Sequence, residues 1–289
     1  MNTIVRGDDY LNLPRAPETW LIEPLIPAGG TALLYGDPKV GKSYAALQLA
    51  LSLQTGVDWL GFPSRSRSEG VYIQLDTPRS LWAERLDVLR NDGFPIDQLH
   101  LADRETLDCF PFDILNPSHA TLLIHALKSM NPYPGWVILD TIREAHSLDE
   151  NNSTDMRNVM GALSGAVKPA ALIIISHSKK PSEMGADLIN DNRGSSYVSG
   201  RMDSIIRFTK KSIHYTGRAI EQGSLKLRRG ETGMWELDTD EVDTAATSIL
   251  LDPSFTSMRS RAAALSTRVG IKEEAARSIL RRSAMRSSR

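Results

Sequence analysis

Short apolar runs alternate along the chain with longer amphipathic segments. Thr31-Ala32-Leu33-Leu34-Tyr35, residues 71–75, 136–139 and 171–175 are continuous apolar stretches of strand length. Between them, residues 43–53 carry Leu47, Ala50 and Leu51 at helical spacing. A helix from Pro78 to about residue 90 aligns Leu81, Trp82, Leu86 and Leu89, and one after Ser153 aligns Met156, Val159, Met160 and Leu163. Ser118 and Ser153 are expected as N-caps, with residues 119–130 helical, and Gly56 as a helix end. Leu99-His100-Leu101 adds a short strand. Strands apolar on both faces, alternating with amphipathic helices, predict a mostly parallel sheet flanked by helices.

The pattern changes towards both ends. Residues 1–19 read as an arm with little structure of its own, and the proline-broken apolar stretch 20–27 is expected beside the first strand. From Ile205 onward, residues 205–208, 212–220, 225–228 and 234–237 are short strand-like runs joined by Gly217, Gly223 and Gly230. They are expected as antiparallel strands added at one sheet edge. Residues 239–256 read as a linker, and 257–268 and 271–283 as two helices hinged at Val269-Gly270. The expected organisation is an arm (1–19), an α/β domain (20–238), a linker (239–256) and a small C-terminal helical appendage (257–289).

Composition narrows the class. The 289 residues carry a formal net charge of −1, so no global field draws nucleic acid to the chain. That average hides a basic tail: Arg259, Arg261, Arg268, Lys272, Arg277, Arg281, Arg282, Arg286 and Arg289 stand against Asp252, Glu273 and Glu274. The single cysteine, Cys109, allows no intrachain disulfide and fits a reducing cytoplasm. The longest apolar run is far too short to cross a bilayer, and the polar first ten residues resemble no signal peptide. No membrane partner is expected.

The chemistry centres on Gly36-Asp37-Pro38-Lys39-Val40-Gly41-Lys42-Ser43, which matches G-x-x-x-x-G-K-[ST] between a strand and a helix. The glycines let successive N–H groups point at phosphate oxygens, Lys42 reaches the outer phosphates, and the Ser43 hydroxyl ligates Mg2+. The helix N-terminus, where Tyr44 follows, adds its positive end. ATP and Mg2+ are therefore the expected ligands. At the carboxyl ends of the other strands lie Asp76, Asp140 and His177. Asp140 suits the second Mg2+ position, with a turn aspartate as the alternative reading. Asp76 suits water activation, with a helix cap as the alternative. Glu144 is a rival base, and His177 is placed to sense the terminal phosphate. No second basic residue follows Lys42 closely enough in the loop to serve within the same chain.

The stretch from Trp20 to Gly30 leading into the phosphate loop resembles the RecA-like ATPases of phages and plasmids, most closely the DnaB-type hexameric replicative helicases. Residues 138–143, Asp149-Glu150-Asn151 with Asp155-Met156, and Arg193-Gly194-Ser195-Ser196 with Asp203 extend the resemblance over about residues 18–230. It implies a homo-hexamer on single-stranded DNA, and a catalytic glutamate where this chain has Asp76. It also implies a basic residue supplied by the neighbouring subunit, for which Arg193, Arg207 and Lys210 are candidates. The loop 178–192, with Lys179 and Lys180, is expected to face DNA phosphates, and Arg277 and Arg281 of a helix-turn-helix-like tail to contact DNA. Two readings remain. One is a ring-forming motor that translocates and unwinds, with a primase or initiator supplied by partners. The other is an ATP-dependent DNA-binding switch without unwinding.

Overall fold

The computed structural model describes residues 5–12, 19–109, 111–178, 196–238, 246, 248–250, 252 and 254–287. Its centre is a nine-stranded sheet. The strands are β3 (Thr31–Gly36), β4 (Gly70–Gln74), β5 (His100–Asp103), β6 (Trp136–Asp140), β7 (Ala171–His177), β8 (Ser204–Phe208), β9 (Ser212–Gly217), β10 (Ile220–Arg229) and β11 (Trp235–Leu237). Their order is β11-β10-β9-β8-β3-β7-β6-β4-β5. A small antiparallel hairpin, β1 (Trp20–Ile22) with β2 (Ile26–Pro27), precedes the sheet. Its Leu21, Ile22, Leu25 and Ile26 are buried in the core beside it.

Strands β5, β4, β6, β7, β3 and β8 run parallel, and β9, β10 and β11 continue antiparallel. β8 therefore belongs to the parallel set rather than to the antiparallel addition expected from its sequence. Successive side chains of a strand point to opposite faces, so each central strand feeds two cores. Leu33 and Tyr35 of β3 join one cluster with Leu172 and Ile174 of β7. Ala32 and Leu34 join the other with Ile173 and Ile175.

Helices α2 (Lys42–Thr55) and α3 (Arg79–Asn91) cover the second face, and α4 (Pro117–Ser129), α5 (Ser153–Val167) and the short α6 (Ser196–Arg201) cover the first. Two caps sit before the serines expected to provide them. Asn116 caps α4, because Pro117 at the first helical position needs no N–H partner, and Asn152 caps α5 by accepting from the Thr154 and Asp155 amides. Leu81 of α3 is exposed, so that helix buries only Trp82 and Leu89 fully.

The flanks are more ordered than their composition suggests. The arm holds a five-residue helix, α1 (Gly7–Leu11). Ala246 and Ile249, within the stretch read as a linker, have helical backbone and are buried in the core. The tail forms α7 (Met258–Val269) and α8 (Glu273–Ser287). Ser257 and Ser260 make a reciprocal cap at the start of α7, and Gly270 ends it with φ 70°. Ala262, Leu265, Ile271, Ala276, Ile279 and Leu280 all enter the cluster on the α2 face. The tail is thus packed into the body. Among the described residues, no helix is long and apolar enough to cross a membrane.

Candidate functional site

β3 ends at Gly36, opposite Phe208 of β8. A Cβ on Gly36 would lie 2.3 Å from the Phe208 carbonyl oxygen, so only glycine lets the strands close up there. The chain then turns through Asp37, Pro38, Lys39 and the buried Val40, with Lys39 at φ 65° and Gly41 at φ 94°. α2 begins at Lys42, directly after Gly41. Its unpaired N-terminal amides face the loop, which makes an anion-binding turn.

Lys42 is buried, and its ammonium donates to the carbonyls of Gly36 and Asp37 at 2.9 Å each. It also lies 3.2 Å from His177 Nδ1 at the end of β7. Burial lowers the Lys42 pKa to about 8, against the opposing pull of Asp140, Asp37 and Asp76. Ser178, the next residue after His177, donates its hydroxyl to Asp37. The phosphate loop and the end of β7 are therefore joined at two points.

Asp140 ends β6 and is buried. Its Oδ2 accepts from Tyr72 Oη at 2.7 Å and from Gln74 Nε2 at 3.2 Å. Its Oδ1 is buried and accepts no hydrogen bond among the described residues. Burial raises the Asp140 pKa, while Tyr72 and Ser43 favour the charged form. A buried carboxylate oxygen beside a serine hydroxyl is a hard oxygen donor set, which fits Mg2+. Asp76 is exposed, yet close enough for its charge to act on both Lys42 and Asp140.

The other expected residues lie elsewhere. Glu144 sits on the 3-10 turn Ile142–Ala145, where Arg104 holds its carboxylate in an ion pair. Arg207 is half-buried on β8, in register with Tyr35 of β3 and His214 of β9. Lys210 is exposed in the β8–β9 turn. Arg277 and Arg281 line a crevice of about 520 Å3 between α8 and the body, facing Glu23, Asp58 and Tyr215, and Arg277 pairs with Glu273 at 3.6 Å. Lys179, Lys180 and Arg193 lie outside the described residues.

Four residues at the loop carried no local sequence signal. The Arg229 guanidinium lies against Gly41, where a Cβ would meet its Nη2 at 2.1 Å. It stacks 4.9 Å from the Tyr44 ring centroid and 4.6 Å from that of Trp235. Trp235 Nε1 donates to the Gly41 carbonyl at 3.1 Å, and Arg85 covers Tyr44 at 5.4 Å. Gln48 holds the Trp235 backbone through two bonds. A second cation of the same chain does reach the phosphate loop, brought by β10 and not by the loop's own sequence. Tyr72 had no signal either, whereas Gln74 had one: it is a polar residue inside an apolar strand.

Parallel strands with a glycine turn, a buried lysine and a strand-end carboxylate define a RecA-like P-loop ATPase fold. The chain belongs to the AAA domain family, whose profile matches residues 3–183. No curated protein matches it. Among solved structures, the ATPase domain of a helicase is similar in fold, with a TM-score of 0.53 at 13% identity over 72% of this chain and 84% of that one. The RadB recombinase gives a TM-score of 0.47 at 17% identity over 72% and 90%.

Proposed function

We propose that the chain is an ATP-hydrolysing motor that assembles as a homo-hexameric ring, translocates on single-stranded DNA and unwinds duplex. Lys42 binds the outer phosphates and Asp76 orients the attacking water and takes its proton. Ser43 and Asp140 Oδ1 hold Mg2+, which supplies charge neutralisation at the transferring phosphoryl group. Arg207 or Lys210 completes a neighbour's site. A primase or initiator partner supplies activities that this chain lacks.

The observation that carries the reading is the contact between Lys42 and His177. His177 ends β7, and the chain passes from Ser178 straight into the stretch bearing Lys179 and Lys180. A change at the terminal phosphate is thereby one side chain away from the segment assigned to DNA phosphates. The test is ATP hydrolysis with and without single-stranded DNA, together with unwinding of a forked duplex and electron microscopy with an ATP analogue. Stimulated hydrolysis, strand separation and six-fold rings support the motor. DNA-stimulated hydrolysis without strand separation returns the chain to the switch reading.

A further inference from the structure

Gln74 is the last residue of β4 and is buried to 1% exposure. It lies in register with Asp140 on the adjacent parallel strand. Its Nε2 donates to Asp140 Oδ2 at 3.2 Å. Its Oε1 accepts the backbone N–H groups of Asp76 at 2.7 Å and Thr77 at 3.0 Å. One side chain therefore bridges the candidate metal carboxylate and the turn that carries the candidate base.

The orientation of the amide is fixed by its partners. Backbone N–H groups can only donate, so they select the oxygen, and the nitrogen is left for the carboxylate. No other residue type of this length both donates and accepts in that way. Glutamate cannot donate when ionised, and methionine does neither. On the other side, Tyr72, two residues earlier on the same face of β4, donates to the same Oδ2. Two donors on Oδ2 set the rotation of the carboxylate, and Oδ1 is left without a hydrogen-bond partner among the described residues. The same glutamine then anchors the backbone from which Asp76 projects. A glutamine that merely satisfied a turn would need only the Asp76 and Thr77 contacts.

The geometry points to Gln74 as a positioning residue that sets Asp140 Oδ1 toward Mg2+ and holds the Asp76 turn in one frame with it. This rests on the reading of the site as a Mg2+-ATP site. The test compares Gln74→Met and Gln74→Glu with wild type in three measurements: kcat for ATP hydrolysis, affinity for a fluorescent ATP analogue with and without Mg2+, and the melting temperature of the free protein. Gln74→Met is expected to lose at least about tenfold in kcat, within the cost of misplacing a reacting group. It should also lose most of the Mg2+-dependent gain in nucleotide affinity, with Mg2+-free affinity within about twofold of wild type. Gln74→Glu keeps the two acceptor contacts and is expected to recover part of the kcat but not the Mg2+-dependent gain. A lower melting temperature with wild-type kcat and wild-type Mg2+-dependent gain would reduce Gln74 to a packing residue and overturn the proposal. If Gln74→Met does not fold, wild-type values for both quantities in Gln74→Glu overturn it equally. Failure of the site reading itself looks different: wild type then shows neither hydrolysis nor Mg2+-dependent nucleotide binding, and Asp140→Ala changes nothing.

Discussion

Lys42 Nζ and His177 Nδ1 lie 3.2 Å apart, although β3 and β7, whose ends they extend, are separated by most of the domain's sequence. The two residues should separate in their effects. Lys42→Ala is expected to bring hydrolysis down to background, because transition-state charge loses its main partner in the loop. His177→Ala is expected to keep DNA-independent hydrolysis within about threefold, while DNA stimulation disappears. Phosphate release measured with and without an oligonucleotide checks both. Full stimulation in His177→Ala would break the proposed link.

Asp76 and Glu144 compete for the role of base, and their surroundings differ. Arg104 occupies Glu144, whereas Asp76 is exposed and within electrostatic reach of Lys42 and Asp140. Asp76→Ala should lower kcat by about two orders of magnitude, Asp76→Glu should keep or raise it, and Glu144→Ala should leave it nearly unchanged. Steady-state hydrolysis by the three variants decides, and a dead Glu144→Ala beside an active Asp76→Ala would reassign the base.

Nucleotide affinity should depend on pH through Lys42. Burial puts the pKa of its ammonium at about 8 in the free protein. Bound phosphate favours the charged form and holds the proton to higher pH. Above pH 8 the free site has lost the proton that the bound site retains, so binding takes one up and weakens as pH rises. The expected slope is up to about tenfold per pH unit, with little change below about pH 7. Lys42→Arg, whose guanidinium stays charged, should flatten the profile. Equilibrium titrations with a fluorescent nucleotide across this range check the sign.

Shared and private cations can be told apart by mixing subunits. Arg229 lies against Gly41 of its own chain, whereas Arg207 and Lys210 are assigned to a neighbour's site. Lys42→Ala mixed with Lys210→Ala or Arg207→Ala should regain hydrolysis, because some interfaces then pair an intact Lys42 with an intact neighbouring cation. Lys42→Ala mixed with Arg229→Ala should regain none. Activity per chain should also rise with protein concentration as rings form. Rescue by Arg229→Ala would move that residue to the interface.

The tail is tested by stability. Leu265 of α7 and Leu280 of α8 are fully buried in the core shared with α2. Leu265→Ala or Leu280→Ala should each destabilise by about 2–5 kcal/mol, the cost of a large-to-small change in a packed core. Arg281→Ala, at the exposed rim, should stay within about 0.5 kcal/mol. Urea unfolding followed by tryptophan fluorescence measures both. An unchanged midpoint for the two leucine variants would detach the tail from the body.

The sequence by itself determined the elements whose information is local. Apolar runs such as 136–139 and 171–175 can only be buried strands, and a glycine loop between strand and helix has one common use. Lys42, Ser43, Asp76, Asp140 and His177 were legible because each falls in the loop or directly after a strand. Contacts between distant segments were decided only by the tertiary structure. β8 pairs parallel to β3 because its Ile205 and Ile206 fill opposite faces of the central sheet, which no short apolar run reveals. Asn116 and Asn152, not the serines beside them, cap their helices, because cap choice turns on a backbone bend one or two residues long. Arg229 and Trp235 reach Gly41 only because β10 and β11 extend the sheet over the start of α2, held there by Gln48. The tail, whose charge suggested an independent unit, is packed into the body by an apolar face of Leu265, Ile279 and Leu280. Periodicity announced that face. Which surface it would cover depended on the shape of the sheet, which exists only once the chain has folded.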